Sequence, residues 1–176
     1  MHGLIHAELK RFVETEYGAD AWKTVLSEAG LSDKIYLPHA TYADHEAAAI
    51  VTTASRLTNT PSAELLESFG EFIAPTLLNT YRSLIRPEWK TMELLMHTEE
   101  TIHKVVRLKE AGPQPPRLDF MQTGPNVLKF NYNSPRRMSA LAKGIIKGVA
   151  KHYGERVDIQ ESNGGNGSSE MTITIG

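Results

Sequence analysis

The segment Gly112-Pro113-Gln114-Pro115-Pro116 divides the chain into two parts whose apolar residues follow different periodicities. Because three prolines in five residues remove backbone donors and fix φ, a helix cannot run through this segment. Before it, apolar residues recur at helical spacing; after it, they alternate with polar residues, as in half-buried strands. The sequence therefore predicts a hinge between a mainly helical part, residues 1–111, and a part that contains strands, residues 112–176.

The helical part carries the usual start and stop signals of helices. Gly18 is placed to end the first helix, and Asp20 is placed to cap the second. The dipeptide Thr60-Pro61 predicts an N-cap followed by proline at the first helical position. Arg86-Pro87 interrupts the pattern again. The predicted helices cover residues 2–17, 20–30, 43–57, a segment that begins at 61, and 91–110.

The second part is predicted to fold as β-β-α-β-β, with the loop SNGGNGSS between the last two strands. This order predicts the α+β class: a helical lobe, then a lobe with a four-stranded antiparallel sheet and a helix. We expect both lobes to form a single domain over residues 1–176. In chain order, the predicted elements are a strand with Leu118 and Phe120, a strand with Leu128, Phe130 and Tyr132, a helix over 135–153, and strands around 157–159 and 171–175.

Composition excludes several classes of function. The 176 residues are 40% hydrophobic and 23% charged, with a net charge of −2 and no cysteine. Without cysteine there is no disulfide, thiolate metal site or cysteine nucleophile. The net charge disfavours binding to nucleic acid, despite the row Lys143, Lys147 and Lys151, and no apolar run reaches the about 18 residues of a membrane helix. We therefore expect a cytoplasmic protein with neither nucleic acid nor membrane as a partner.

The motif Tyr132-x-Ser134-x-Arg136 brings three hydrogen-bond donors together at the end of a predicted strand. Ser134 is expected to cap a helix that begins at Pro135, so the helix N-terminus would add its own N–H groups. Such an arrangement is typical of a site for a carboxylate or phosphate. The alternative is that Ser134 only caps, Tyr132 only packs and Arg136 is solvated.

His103 is the histidine with the most distinctive surroundings. The other histidines lack the paired spacing of a multi-histidine metal site. His103 lies among Ile102, Val105 and Val106 on a predicted helix, as an axial haem ligand in an apolar pocket would. The alternative is a partly buried histidine whose ring is satisfied by a neighbouring group.

The histidine and the motif together resemble the haem nitric-oxide/oxygen-binding (H-NOX) domain family, in its bacterial stand-alone form. The resemblance covers nearly the whole chain, and the spacing of His103 from the Y-x-S-x-R motif is its most specific element. The other matching segments are Met1-His2-Gly3-Leu4-Ile5, Gly18-Ala19-Asp20-Ala21-Trp22, Ser68-Phe69-Gly70-Glu71-Phe72 and Pro116.

The resemblance implies a haem b between the two lobes, with His103 as the ligand of its iron. Tyr132, Ser134 and Arg136 would meet the haem propionates, since buried anions need charge-assisted donors. The resemblance also places Asp44 beside Arg136 and Pro116 against the porphyrin. The remaining residues expected around the haem, with Ile145 left out, are Ile5, Leu9, Ile73, Ala74, Leu77, Met96 and Leu141.

The resemblance further implies a gas sensor without catalytic activity. The positions that carry polar groups in O2-binding members are Leu141, Leu9 and Ile73 here, so we expect binding of NO and CO but not of O2. NO would release His103, and the shift of its helix would reach a partner, a histidine kinase or a cyclic-di-GMP enzyme. The alternatives are an O2-binding haem protein or haem enzyme, and a haem-free protein-interaction module.

Overall fold

The computed structural model describes residues 1–109, 115–163 and 168–176. Most of the predicted hinge at 112–116 and the centre of the loop SNGGNGSS lie outside the described residues. Among the described helices, none combines the length and the apolar character needed to cross a membrane.

The first part of the chain is helical, as predicted, and its helices begin and end close to the expected residues. The predicted helix over 91–110 is divided by a π-helical turn at Glu99–His103, which ends with the candidate metal ligand. The α-helices are α1 (Gly3–Tyr17), α2 (Ala21–Glu28), α3 (Asp44–Thr58), α4 (Ser62–Thr80), α5 (Thr91–Thr98), α6 (Lys104–Lys109) and α7 (Ser139–His152), with a 3-10 turn at Arg82–Leu84.

Two predicted helix starts were wrong. Pro61 is extended, with ψ 137°, so it is the N-cap of α4 and the helix begins one residue later. The helix expected from Pro135 begins instead at Ser139, because Arg137 has φ +51° and cannot continue a right-handed helix. Ser134 therefore does not cap this helix.

The second part confirms the predicted β-β-α-β-β order and the α+β class. All neighbouring strands are antiparallel, in the spatial order β1-β2-β4-β3. Alternate residues of β2 and β4 are buried in a core that includes Ile146 of α7. The strands are β1 (Arg117–Gly124), β2 (Val127–Asn133), β3 (Val157–Asn163) and β4 (Ser169–Ile175).

The two parts meet where α4 packs against α7 with almost no side-chain layer between them. A Cβ atom added to Gly144 would lie 2.0 Å from the carbonyl oxygen of Glu67, and one added to Gly148 would lie 2.5 Å from the Cβ of Ala74. Lys143 and Lys147 form ion pairs with Glu67 at 3.2 and 2.5 Å along the same contact. Only glycine permits this approach of backbones, which fixes the spacing of the two helices.

Candidate ligand-binding cavity

A large apolar cavity lies between α4, α5, the π-helical turn, α7 and the sheet. The cavity has a volume of about 270 Å³. On the same scale, a single water molecule needs roughly 10–15 Å³. Its wall is mostly aliphatic and aromatic, as is usual for sites that bind flat organic ligands. The polar residues on the wall are His2, Tyr81, Thr98, His103, Tyr132 and Arg136.

His103 reaches the cavity from the π-helical turn, and its ring is mostly buried. Its Nδ1 atom lies 3.2 Å from Oε2 of Glu99. Burial lowers the pKa of His103 below its ordinary value, although Glu99 acts in the opposite direction. Since an ionised carboxylate can only accept a hydrogen bond, Nδ1 carries the proton, and Nε2 keeps the lone pair that a metal requires.

Glu99 has two further partners besides His103. Its Oε1 atom lies 2.6 Å from Nη1 of Arg107, and its Oε2 atom accepts a hydrogen bond of 3.2 Å from the Leu118 N–H group of β1. Burial alone would raise the pKa of Glu99, but the hydrogen bonds from Arg107 and Leu118 outweigh it and lower the pKa. The carboxylate therefore stays ionised beside the His103 ring at neutral pH.

Tyr132 and Arg136 both line the cavity, whereas Ser134 lies behind the wall. The Tyr132 hydroxyl, on β2, accepts a hydrogen bond of 3.3 Å from the Met138 N–H group. The Ser134 hydroxyl accepts one of 3.3 Å from the Arg136 N–H group. Ser134 thus shapes the turn that carries Arg136, and the N–H groups of α7 begin four residues too late to take the role expected of them.

Asp44 lies beside Arg136, as the resemblance implied. Its Oδ2 atom is 2.9 Å from Nε of Arg136, and its Oδ1 atom is 2.8 Å from the Met1 ammonium group. Burial by itself would raise the pKa of the Asp44 carboxyl, but hydrogen bonds from Met1 and Arg136 prevail and lower it. The Nε edge of the Arg136 guanidinium is thereby oriented by a carboxylate on α3.

The expected apolar residues fall into two groups. Ile5, Ala74, Leu77, Leu141 and Pro116 line the cavity.

Leu9, Ile73 and Met96 do not line it. Leu9 and Ile73 lie in the core of the helical part. Ile73 precedes Ala74 by one residue, which turns its side chain by about 100° away from the cavity. Leu9 is on the same face of α1 as Ile5, but one turn further along, where α1 packs into that core instead. Met96 is 38% exposed on the outer side of α5. Ile145, which is not among the expected residues, does line the cavity.

Sequence reasoning also missed residues of the wall, among them Leu78 and Tyr81. Together with the predicted Ala74 and Leu77 they follow one another at i, i+3, i+4 and i+7, so one face of α4 lines the cavity. This helical spacing was available in the sequence and would have included Tyr81. Glu99 could have been found in the same way, since it precedes His103 by four residues.

The described residues contain no group of three or more His, Cys, Asp or Glu side chains placed to hold a metal ion. A single neutral imidazole in an apolar cavity instead fits a metal that brings its other ligands with it, as porphyrin iron does. Tyr132 and Arg136 on the same wall supply donors of the kind that the two haem carboxylates need.

Comparison with known proteins agrees with this chemistry. Residues 2–161 match the Haem-NO-binding family. Among curated proteins, the chain is similar to the soluble guanylate cyclases gcy-35 and gcy-32 of Caenorhabditis elegans, with 24% identity over 159 residues and 23% over 156. Each alignment covers 86% of this chain but 23% of the cyclase, so the chain spans about a quarter of the length of these relatives.

Two solved structures show the same fold. The H-NOX protein from S. oneidensis in the Fe(II)NO ligation state has a TM-score of 0.91 at 23% identity, over 100% of this chain and 99% of that chain. The Fe(II) unliganded H-NOX protein from K. algicida has a TM-score of 0.88 at 20% identity, over 100% and 97%. Since the family match covers nearly the whole chain, the protein belongs to the Haem-NO-binding family of haem-binding gas-sensor domains.

Proposed function

We propose that residues 1–176 form one sensor domain that binds haem b in the cavity and responds to NO and CO. The observation that carries this proposal is one cavity with a buried neutral imidazole, His103, and the donors Tyr132 and Arg136 on an otherwise apolar wall. His103 would hold the iron through Nε2. Tyr132 and Arg136 would bind the propionates, Ser134 would hold the turn of Arg136, and Pro116 would pack on the porphyrin.

Which gas binds depends on whether the cavity wall provides a hydrogen-bond donor. The haem supplies a ferrous iron to which NO, CO and O2 can all bind, but O2 depends most on a hydrogen-bond donor from the protein. Leu141, Ala74, Leu77 and Ile5 line the cavity, and their aliphatic side chains provide no such donor. We therefore propose that the reduced protein binds NO and CO and leaves O2 unbound in air.

The test is an absorption spectrum of the reduced protein under argon, then air, then NO. We expect a haem Soret band that is unchanged by air and shifted by NO. Leu141→Tyr, which adds a hydroxyl to the wall, should give a spectrum that changes in air, while Leu141→Phe should not. A stable air-induced band in the unmodified protein would overturn the selectivity. Absence of any Soret band after haem is added would overturn the haem site.

A second candidate function is O2 binding, and Tyr81 is the observation that favours it. Tyr81 lies on the cavity wall and carries a hydroxyl group. If this group stabilised bound O2, the unmodified protein would form a stable complex in air and Tyr81→Phe would lose it. We expect both proteins to behave alike in air, because the aliphatic residues dominate the wall.

Signalling would begin at His103, which is joined through the π-helical turn to α5 and α6. Release of His103 would free this helical segment to shift, while its contacts with β1 through Glu99 would pass the shift to the sheet. We propose that a histidine kinase or a cyclic-di-GMP enzyme reads the shift and that the domain has no reaction of its own. His103→Gly that still holds haem should leave the partner's activity insensitive to NO, and retained NO regulation would contradict this.

A further inference from the structure

Three polar groups on one helical segment form a chain that ends at the cavity. Arg107 donates to Oε1 of Glu99 at 2.6 Å, and Oε2 of Glu99 accepts from Nδ1 of His103 at 3.2 Å. The same Oε2 atom accepts from the Leu118 N–H group at 3.2 Å. Both carboxylate oxygens of Glu99 therefore accept hydrogen bonds: Oε1 from the Arg107 guanidinium, and Oε2 from the His103 imidazole and from Leu118 on the edge strand β1.

The backbone explains why these groups meet. Glu99 and His103 are the first and last residues of the π-helical turn, and Arg107 lies one further turn along in α6. A π-helical turn is rare and occurs most often at functional sites. Here it places the Glu99 carboxylate beside Nδ1 of the His103 ring, so Nε2 is the ring nitrogen that can face a metal.

We propose that Glu99 is a positioning residue that strengthens the bond between His103 and the iron, and that Arg107 weakens this effect of Glu99. This inference rests on the proposed function, in which His103 is the iron ligand. A carboxylate that accepts the Nδ1 proton fixes the ring orientation and makes Nε2 a stronger electron donor. The Arg107 guanidinium withdraws part of that charge, so the two residues act on His103 in opposite directions.

The consequence concerns the state of the protein when NO is bound. His103 would either stay on the iron or be released, and the strength of its bond would decide between the two. With Glu99 in place, a larger share of the NO complex would keep His103 bound. Without the charge of Glu99, His103 would be released more readily, and the balance would shift toward the form in which the helical segment is free.

The experiment compares Glu99→Gln with Glu100→Gln in the reduced, haem-loaded protein. Glu100 is the matched control, since it is the exposed neighbour on the same turn. Resonance Raman spectroscopy reports the iron–histidine stretching frequency, and absorption reports the share of the NO complex that keeps His103 bound. We expect Glu99→Gln to lower the iron–histidine stretching frequency and to raise the reduction potential. The share of the NO complex that keeps His103 bound should fall about tenfold, which is at the low end of the effects of groups hydrogen-bonded to a metal ligand. Glu100→Gln should leave all three unchanged.

Arg107→Gln provides the test that a loss of packing could not imitate. Removing the guanidinium leaves the full carboxylate charge on His103, so the stretching frequency should rise and the reduction potential should fall. Shifts of Glu99→Gln and Arg107→Gln in the same direction would overturn the proposal. If Glu99→Gln does not fold or take up haem, Arg107→Gln alone decides by the sign of its shift.

The outcomes separate this proposal from the one on which it rests. An unmodified protein without an iron–histidine band would overturn the proposed function itself. A normal band in the unmodified protein that stays unchanged in Glu99→Gln would overturn only the role of Glu99, and His103 would remain the iron ligand.

Discussion

The cavity is bounded by two regions that different forces hold together. On one side, α4 and α7 meet backbone to backbone at Gly70 and Gly144, so their arrangement depends on shape. On the other side, the π-helical turn is held by hydrogen bonds and an ion pair centred on Glu99, so its arrangement depends on charge. A volume change should therefore damage the first region most, and a charge change should affect the second without unfolding the protein.

The largest effect is expected from a cavity in the shape-dependent region. Ile73 is fully buried, so Ile73→Ala removes packed atoms that nothing can replace. We expect a loss of about 3 kcal/mol in the free energy of unfolding, measured by urea denaturation. Met96→Ala, at an exposed position of α5, is the control and should change it by less than about 0.5 kcal/mol. Equal losses in both variants would contradict the placement of these two residues.

An added methyl group at the helix contact should have the next largest effect. The new Cβ of Gly144→Ala would meet the Glu67 carbonyl oxygen at 2.0 Å, so the helices must separate. We expect a loss of about 2 kcal/mol, read as a lower melting temperature, even though alanine favours a helix. Gly124→Ala is the control, because its Cβ would lie 3.5 Å from Val127, an ordinary contact. A melting temperature unchanged in Gly144→Ala would show that the contact is not tight.

The ion pair between Asp44 and Arg136 should contribute less to stability. The Asp44 side chain is 42% exposed, so solvent screens its attraction to Arg136. A double-mutant cycle with Asp44→Asn and Arg136→Gln should give a coupling energy of about 0.5–1 kcal/mol at low salt. The coupling should shrink at high salt. A coupling that salt does not change would mean that the pair is more deeply buried than the structure indicates.

The smallest effect is expected from the ion pairs along the helix contact, and it depends on pH. Burial would raise the pKa of Glu67, but hydrogen bonds from Lys147 and Lys143 outweigh it and lower the pKa below its ordinary 4.5. A lowered pKa in the folded state adds stability at neutral pH that is lost as the pH falls through that pKa. Glu67→Gln should therefore be less stable than the unmodified protein at pH 7, by less than about 1 kcal/mol. The difference should shrink as the pH falls below 4.5 and vanish only once the pH is below the lowered pKa of folded Glu67, whereas a difference that stays constant down to that pH would contradict the assignment.

Much of the fold was predictable because helix and strand periodicities are local properties. The start of α7 was not, since the left-handed conformation of Arg137 follows from how the turn packs and leaves no mark in the residue type. The π-helical turn was also missed, because residue type and apolar spacing do not distinguish the i→i+5 hydrogen bonds of a single π turn from the i→i+4 bonds of the helix around it.

The candidate site was predictable where residues lie on the cavity itself and less so behind it. His103, Tyr132 and Arg136 stand out by type and spacing, and all three line the cavity. Leu9 and Ile73 were assigned by alignment to the family. Ile73 is one residue from Ala74, and a change of one residue turns a helical side chain by about 100°. The face of α4 that carries Ala74 therefore predicts the wall better than the alignment did.

Tyr132 lies on a strand that is paired on both sides, opposite Leu118 of β1 and Ser169 of β4. Its backbone is thus ordered when the chain folds, and so is the turn that carries Arg136, since it is joined to β2 by the Met138–Tyr132 hydrogen bond. The conformational entropy of the Tyr132 backbone and of this turn is lost in folding, before any ligand binds. A ligand that enters the cavity therefore meets preorganised binding groups, and nearly all of its binding energy remains available for affinity.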